Sequence, residues 1–263
     1  MQIRDLTEAD LPAYFCCLEE WEERLEPGKA YKQKWYAQAQ NKGLRVKLAI
    51  DDDGTPCGMI QYQPVEHTHI TGKDIYFIYC IWVHGHKEGI GNRQHKGIGK
   101  ALLAAAEEDA RNLGAKGIAA WGLRIPVWMK AAWFRKQGYQ AVHSSGIMQL
   151  VFKAWAPDVP MPAFPKPKKK PEAGKDKVIL TDFIDGWCTY SNVTHANAAK
   201  LAAEFPDQVE LVTLDATDKE VLAVWGIGEG LYIDGKAVRT APPLPYAALK
   251  SKVEKRIKRL RQD

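Results

Sequence analysis

From residue 44 onward the chain switches between two hydrophobic periods. Leu44 to Asp51 alternates apolar and polar positions, as a strand with one buried face does. Asp52-Asp53-Gly54 closes it with a turn. Cys57 to Val65 and Ile75 to Val83 read as two further strands. The run Ile78-Tyr-Cys-Ile-Trp-Val83 is too apolar to leave one face in water. Ile98, Leu102, Ala105, Ala106 and Leu113 then recur at helical spacing and predict a helix over 97–113, stopped by Gly114. Gly117 to Trp121 reads as a buried strand, Val127 to Gln137 as a helix stopped by Gly138, and Gln140 to Lys153 as one or two strands. Upstream, Gln2 to Asp5 reads as an edge strand. Thr7, with Asp10 three residues on, caps a helix expected to run to about Leu25, and Lys29 to Gln40 gives a second helix. The alternation of periods predicts a mixed α/β fold.

Between Ala156 and Lys177 the pattern stops. Pro157, Pro160, Pro162, Pro165, Pro167 and Pro171 stand there with Lys166 and Lys168 to Lys170. Proline removes backbone donors and like charges repel, so this stretch is expected to be a semi-rigid linker. It separates a domain over 1–155 from a second over 178–263. In the second, strands are expected at Val178 to Phe183, Val209 to Asp215, Gly230 to Ile233 and Ala237 to Arg239. Helices are expected at Asn192 to Glu204, Asp218 to Trp225 and Pro245 to Leu260.

Composition narrows the setting. The 263 residues are 46% hydrophobic and 26% charged, with a formal net charge of +5, mild enough to favour anionic ligands without requiring nucleic acid. The terminal helix carries Lys250, Lys252, Lys255, Arg256, Lys258, Arg259 and Arg261, yet Val253, Ile257 and Leu260 make it a solvated amphipathic helix rather than a nucleic-acid reader. Five cysteines, with Cys16 beside Cys17 and no CxxC, fit a reducing compartment. No stretch approaches the roughly 18 apolar residues of a membrane span. Arg4, Asp5, Glu8 and Asp10 stand where a signal peptide would be apolar. A cytoplasmic protein is therefore expected, with no membrane partner.

The chemistry concentrates at Gln94-His95-Lys96-Gly97-Ile98-Gly99-Lys100, between the apolar strand and the alanine-rich helix. The first turn of a helix has unpaired N–H groups and about half a positive charge. Glycines there let a phosphate approach the backbone. The pattern Gln94-x-x-Gly97-x-Gly99, followed by Ala101-Leu102-Leu103, resembles the coenzyme A signature of the GNAT superfamily of N-acetyltransferases. Gly117-Ile-Ala-Ala-Trp121 resembles that family's next strand. Met129 to Tyr139, with Ala132, Phe134 and Gly138, resembles its later helix. The resemblance covers residues 1 to about 153. It implies a splayed central sheet flanked by helices, with acetyl-CoA as co-substrate in the gap. Trp82 and Val83 would pair with the pantetheine arm, residues 94–99 would hold the pyrophosphate, and Phe134 would lie beside the thioester. It implies acetyl transfer to a primary amine, taken here as that of a small molecule, by direct attack in a ternary complex. A peptide or protein amine, a silent acyl-CoA-binding regulator, and a monothiol redox protein are the alternatives.

Two positions depart from the family. Phe134 stands where an aromatic hydroxyl often protonates the leaving thiolate. Phe77 or Ile78 stands where a base carboxylate often lies. Catalysis is then expected to rest on positioning, with Tyr79, His84 or Glu88 as candidate groups acting through water. His67-Thr-His69 and His84-Gly-His86 suggest a metal site. The expected hairpin places His84 opposite about Gln61, some 20 Å from His67, so no metal is expected.

In the second domain Asp185-Gly-Trp187-Cys188-Thr-Tyr-Ser191 lies between strand and helix. The β-α-β-α-β-β-α order resembles the thioredoxin-like class, which carries W-C-x-x-C at this place. Ser191 replaces the second cysteine, so Cys188 is a candidate monothiol site within a domain read as a non-redox accessory. GNAT followed by D-G-W-C and Ile233-Asp-Gly-Lys236 resembles acetyltransferases with a YoaP-like C-terminal domain. Shaping the acceptor site, binding substrate or homodimerisation are the roles left open for it.

Overall fold

The computed structural model describes residues 1–262. Two compact units divide the chain. One comprises Met1–Glu22 and Tyr36–Phe164, the other Glu23–Trp35 and the chain from Pro165 onward.

The first unit is built on β1 (Gln2–Asp5), α1 (Leu11–Phe15), the end of α2 (Glu26–Gln40), β2 (Arg45–Ile50), β3 (Pro56–Pro64) and β4 (Tyr76–Val83). These are followed by α3 (Ile98–Asn112), β5 (Gly117–Leu123), α4 (Ala131–Lys136), β6 (Gln140–Ser145) and β7 (Met148–Ala154). The strands form one sheet in the order β1-β2-β3-β4-β5-β7-β6. Only β4 and β5 run parallel. A parallel pair needs a crossover, and α3 provides it. Its stripe of Ile98, Leu102, Leu103, Ala106 and Ala110 packs into a core shared with Tyr62, Ile78, Ile81, Ile118 and Ala120. Leu102 is fully buried, and such burial stabilises by about 1.5–3 kcal/mol.

Three expectations are corrected. The helix from Thr7 ends at Phe15. Its start is as read: Thr7 donates through its backbone N–H and hydroxyl to Asp10, which also takes the Arg4 guanidinium at 2.6 and 2.8 Å. Cys17 and Leu18 then adopt φ of 58° and 64°, which breaks the helix without a glycine or proline to announce it. The helix expected from Val127 begins only at Ala131. Leu123 N–H donates to Met129 carbonyl at 2.6 Å, and Met129 has φ +52°, so residues 124–130 loop back over the end of β5. Gly122 permits this: a Cβ there would lie 2.7 Å from Ala131 Cα. Finally, Cys80 pairs with Gln61 and Val83 with Gly58, so His84 lies beside Cys57 and donates its N–H to the Cys57 carbonyl at 3.0 Å. The connection from β3 to β4 runs from Pro64 to Tyr76 and includes a 3-10 turn at Val65–His67. Among the described residues no group of three or more His, Cys, Asp and Glu side chains could hold a metal ion. No helix among them is long and apolar enough to cross a membrane.

The second unit has β8 (Val178–Ile184), α5 (Thr189–Glu204), β9 (Val209–Asp215), α6 (Lys219–Trp225), β10 (Gly230–Ile233), β11 (Lys236–Val238) and α7 (Tyr246–Leu260). Its sheet order is β11-β10-β8-β9, with β8 and β9 parallel. Leu180, Leu201, Leu231, Leu249, Val253 and Ile257 form its core. Helix α5 starts three residues before the expected Asn192, directly after Cys188 at its N-cap. One buried ion pair links this helix to the sheet: His195 Nδ1 lies 2.5 Å from Asp182 Oδ1.

Candidate active site

The site begins where two strands part. Pairing of β4 with β5 runs through Tyr76–Ile118, Phe77–Ala119 and Ile78–Ala120, and stops. Beyond that point β4 stays on β3 as far as Val83, and β5 stays on β7 as far as Leu123. The register shift between Gln61 and Tyr62 leaves Tyr79 as the extra residue of a bulge on β4, and bulges bend strands and raise their local twist. A buried carbonyl without a partner costs about 1–3 kcal/mol, so the parted edge of β4 needs donors. Side chains supply them. Trp121 Nε1 donates to the Tyr79 carbonyl at 2.7 Å, Trp128 Nε1 to Ile81 at 3.2 Å, and Gln94 Nε2 to Val83 at 3.3 Å.

Helix α3 starts at the outer end of this gap. Gly97, its N-cap, has φ +81°, offers no side-chain cap, and would have nothing within 4 Å of an added Cβ. Lys100 and Ala101 N–H groups both reach the Gly97 carbonyl at 3.0 and 3.1 Å. The amides that precede them have no intrahelical acceptor. No acidic residue stands in this first turn. The turn opens on a cleft of about 710 Å³ whose walls include Arg93, His95, Lys100 and Lys130 and no carboxylate. Its charge and its free amides both favour an anion.

Most of the residues singled out for the cofactor meet here. Trp82, Val83, Gln94, His95, Gly97, Ile98, Gly99, Lys100 and Phe134 all line the cleft. Lys96 is exposed on the same loop but does not line it. Phe134 is fully buried, edge-on to Trp133 at 4.9 Å. The three candidate catalytic groups lie off the cleft. Tyr79 is buried and donates its hydroxyl to Gln63 Oε1 at 3.0 Å. His84 is buried between two partners: Trp21 Nε1 lies 3.3 Å from its Nε2, and the Gly91 carbonyl 3.0 Å from its Nδ1. An indole N–H only donates, so Nε2 must accept and Nδ1 carries the proton. Glu88 is exposed on the loop after β4.

Sequence reading missed Ile81, Arg93 and the wall made by Pro126, Val127, Trp128, Met129, Lys130 and Trp133. Residues 127–130 fit a helical pattern, and Pro126 gives no signal against it, since proline suits the first turn of a helix. Trp121 was placed on its strand but not given the carbonyl it holds.

These observations define a mixed α/β domain with a splayed sheet and an uncapped helix start beside the splay. The chain belongs to the acetyltransferase (GNAT) family, whose model matches residues 3–139. It is thus an acyltransferase of that family. No protein of curated function matches it in sequence. Solved structures similar to it include a GNAT family acetyltransferase from Brucella melitensis in complex with acetyl-CoA, at 19% identity over 60% of this chain and 90% of that one, TM-score 0.42. The PaiA N-acetyltransferase of Thermoplasma acidophilum in complex with coenzyme A is 19% identical over 58% and 98%, TM-score 0.44. A GNAT-family protein described as a putative acetyltransferase from Desulfovibrio desulfuricans is 20% identical over 59% and 99%, TM-score 0.45.

Proposed function

We propose that the first unit transfers acetyl from acetyl-CoA to the primary amine of a small molecule, by direct attack with both substrates bound. The observation that carries this reading is the start of α3, with its unpaired amides facing a cleft without carboxylates. Acetyl-CoA, when bound, supplies an acetyl group activated as a thioester. The chain fits it in three respects. The Gly97–Gly99 turn is free of side chains that would hold a diphosphate away. Lys100 and, from the same loop, Lys96 add charge. The Trp82 indole N–H is buried with no hydrogen-bond partner among the described residues, a donor ready for an amide carbonyl. The parted edge of β4 near Trp82 and Val83 runs inward from that turn.

Phe134 and Trp133 make the wall apolar and exclude water, but neither carries a transferable proton. Tyr79 and His84 spend their polar atoms within the unit. The rate therefore rests chiefly on holding amine and thioester together, a contribution of up to about 7–11 kcal/mol. Of the candidate groups, Glu88 retains an exposed carboxylate that can take a proton through water.

The second unit is read as a thioredoxin-like accessory module, joined through the Pro/Lys-rich stretch at 156–177. The support is its mixed sheet with β8 inside and a helix starting at Cys188. Its role is taken as non-redox, because Ser191 stands where a resolving thiol would be needed. The chain as a whole is expected to work in the cytoplasm. A panel of small amines, offered with acetyl-CoA and a thiol reagent, tests the assignment. Thiol release with at least one amine supports it. Binding of coenzyme A with no release for any amine or peptide would leave the regulator in its place.

A further inference from the structure

The cleft has an open end and a closed end. The open end is the α3 turn. The closed end lies where β4 and β5 come back into register at Ile78 and Ala120. Trp121 is the first residue of β5 past that pairing. Its indole is not free to turn away, since Nε1 is bonded to the Tyr79 carbonyl at the bulge, 2.7 Å away. Trp128 stands edge-on against it, ring centroids 5.2 Å apart at 81°, and is itself bonded to the Ile81 carbonyl. Behind the two indoles the strand carries only Ala119 and Ala120, both fully buried. Of the two, Trp128 lines the cleft and Trp121 backs it, so the depth of the gap is set by the tryptophans and not by the strands.

We infer that Trp128, backed by Trp121, fixes the acyl length this enzyme accepts, admitting an acetyl group and rejecting acyl chains of four carbons or more. This rests on the reading of the cleft as the acyl-thioester site. A group entering from the α3 turn passes Val83 and Trp82 along the β4 edge. At Ile81 it meets the Trp128 indole, with Trp121 behind it. An acetyl group ends in a single methyl. Each further methylene must be placed where an aromatic ring already sits, and close-packed interiors do not yield that volume without shifting side chains off their rotamers. Moving Trp121 would also break its bond to Tyr79. The side chain at 128, with the one at 121 behind it, thus acts as a ruler, one that a smaller residue would lengthen.

The test needs no acceptor. Calorimetric titration of the full chain with coenzyme A, acetyl-CoA and butyryl-CoA is done for the wild type, Trp121→Ala, Trp121→Phe and Trp128→Ala. Thermal melts check that each variant folds. The wild type is expected to bind butyryl-CoA about tenfold or more weaker than acetyl-CoA, since misfit by single methylenes is worth factors of this order. Trp128→Ala should bring the two within about threefold of each other, whatever its effect on coenzyme A itself. Trp121→Ala and Trp121→Phe should relax the preference in part, and they carry the test if the alanine variant at 128 does not fold. Equal wild-type affinity for the two thioesters, or variants that change all three affinities alike, would overturn the inference. A folded wild type that binds none of the three would overturn the reading of the cleft as well, a result distinct from lost selectivity.

Discussion

The indole of Trp128 donates to the main-chain carbonyl of Ile81 at 3.2 Å, on a strand edge that β5 has already left. With Trp121 on Tyr79 and Gln94 on Val83, it makes a row of side-chain donors standing where a neighbouring strand would be. The row keeps the parted edge satisfied. It also holds the two indoles in place beside that edge.

Trp128→Phe tests what that row contributes. It keeps an aromatic ring and removes the donor to the Ile81 carbonyl. A buried carbonyl left without a partner costs about 1–3 kcal/mol, so the first unit should lose stability by about that much. A lower denaturant midpoint reads this directly. An unchanged midpoint would show that the bond adds nothing to the parted edge.

Gly122→Ala tests the path of the 124–130 loop. The added Cβ would meet Ala131 backbone atoms at 2.7 and 2.8 Å and the Met129 carbonyl at 3.0 Å. Backbone cannot move aside as a flexible side chain can. A loss of about 2 kcal/mol or more is expected, seen as a lower denaturant midpoint for the first unit. A neutral substitution would mean that the loop does not pack so closely.

The second unit should lose stability in alkali. Burial alone would lower the His195 pKa, but its hydrogen bond to Asp182 and the Glu229 carboxylate 3.3 Å from its Nε2 outweigh that and raise it to about 10. The folded value lies above the unfolded value of about 6.5. The contribution is therefore fully present below about pH 6.5 and fades as pH rises towards 10. Asp185 acts in the same sense: burial, then the Glu229 charge, push its carboxyl up, so ionising it above the ordinary carboxylate range opposes folding. Melting of the second unit should fall between pH 6.5 and 10, and His195→Gln should flatten that slope. A melting temperature that rises over this interval would contradict the assignment of charge.

Cys188→Ser should change acetyl transfer by less than about threefold, within the small effect expected of a conservative change away from the reacting atoms. Loss of transfer on this substitution would favour a thiol-dependent activity over the accessory role.

The strands and helices around the site were legible because their periods are unambiguous. The α3 stripe of Ile98, Leu102 and Ala106 and the apolar run ending at Val83 each admit one reading, and glycines at 97 and 99 mark the turn between them. The loop at 124–130 was not legible. Val127-Trp-Met-Lys carries nothing that forbids a helix, and the positive φ of Met129 is imposed by the close approach of α4 to Gly122. The break at Cys17 and Leu18 is of the same kind. The β3–β4 register was misjudged because it depends on the Tyr79 bulge and on the length of the connection, and neither leaves a mark in hydrophobic period. Tyr79 and His84 looked like reactive groups by type, but their side chains are spent on Gln63 and on Trp21 with Gly91.

The most direct test of the α3 turn as a diphosphate grip compares coenzyme A with pantetheine, which shares its arm but lacks the diphosphate and the 3′-phosphoadenosine beyond it. Calorimetric titration is done on the wild type and on Gly99→Val. The wild type should bind coenzyme A about 100-fold or more tightly than pantetheine, as two or three charge-assisted hydrogen bonds imply. In Gly99→Val, still folded by its melting curve, most of that difference should vanish. Equal binding of the two ligands by the wild type, or an undiminished preference in the variant, would contradict the account.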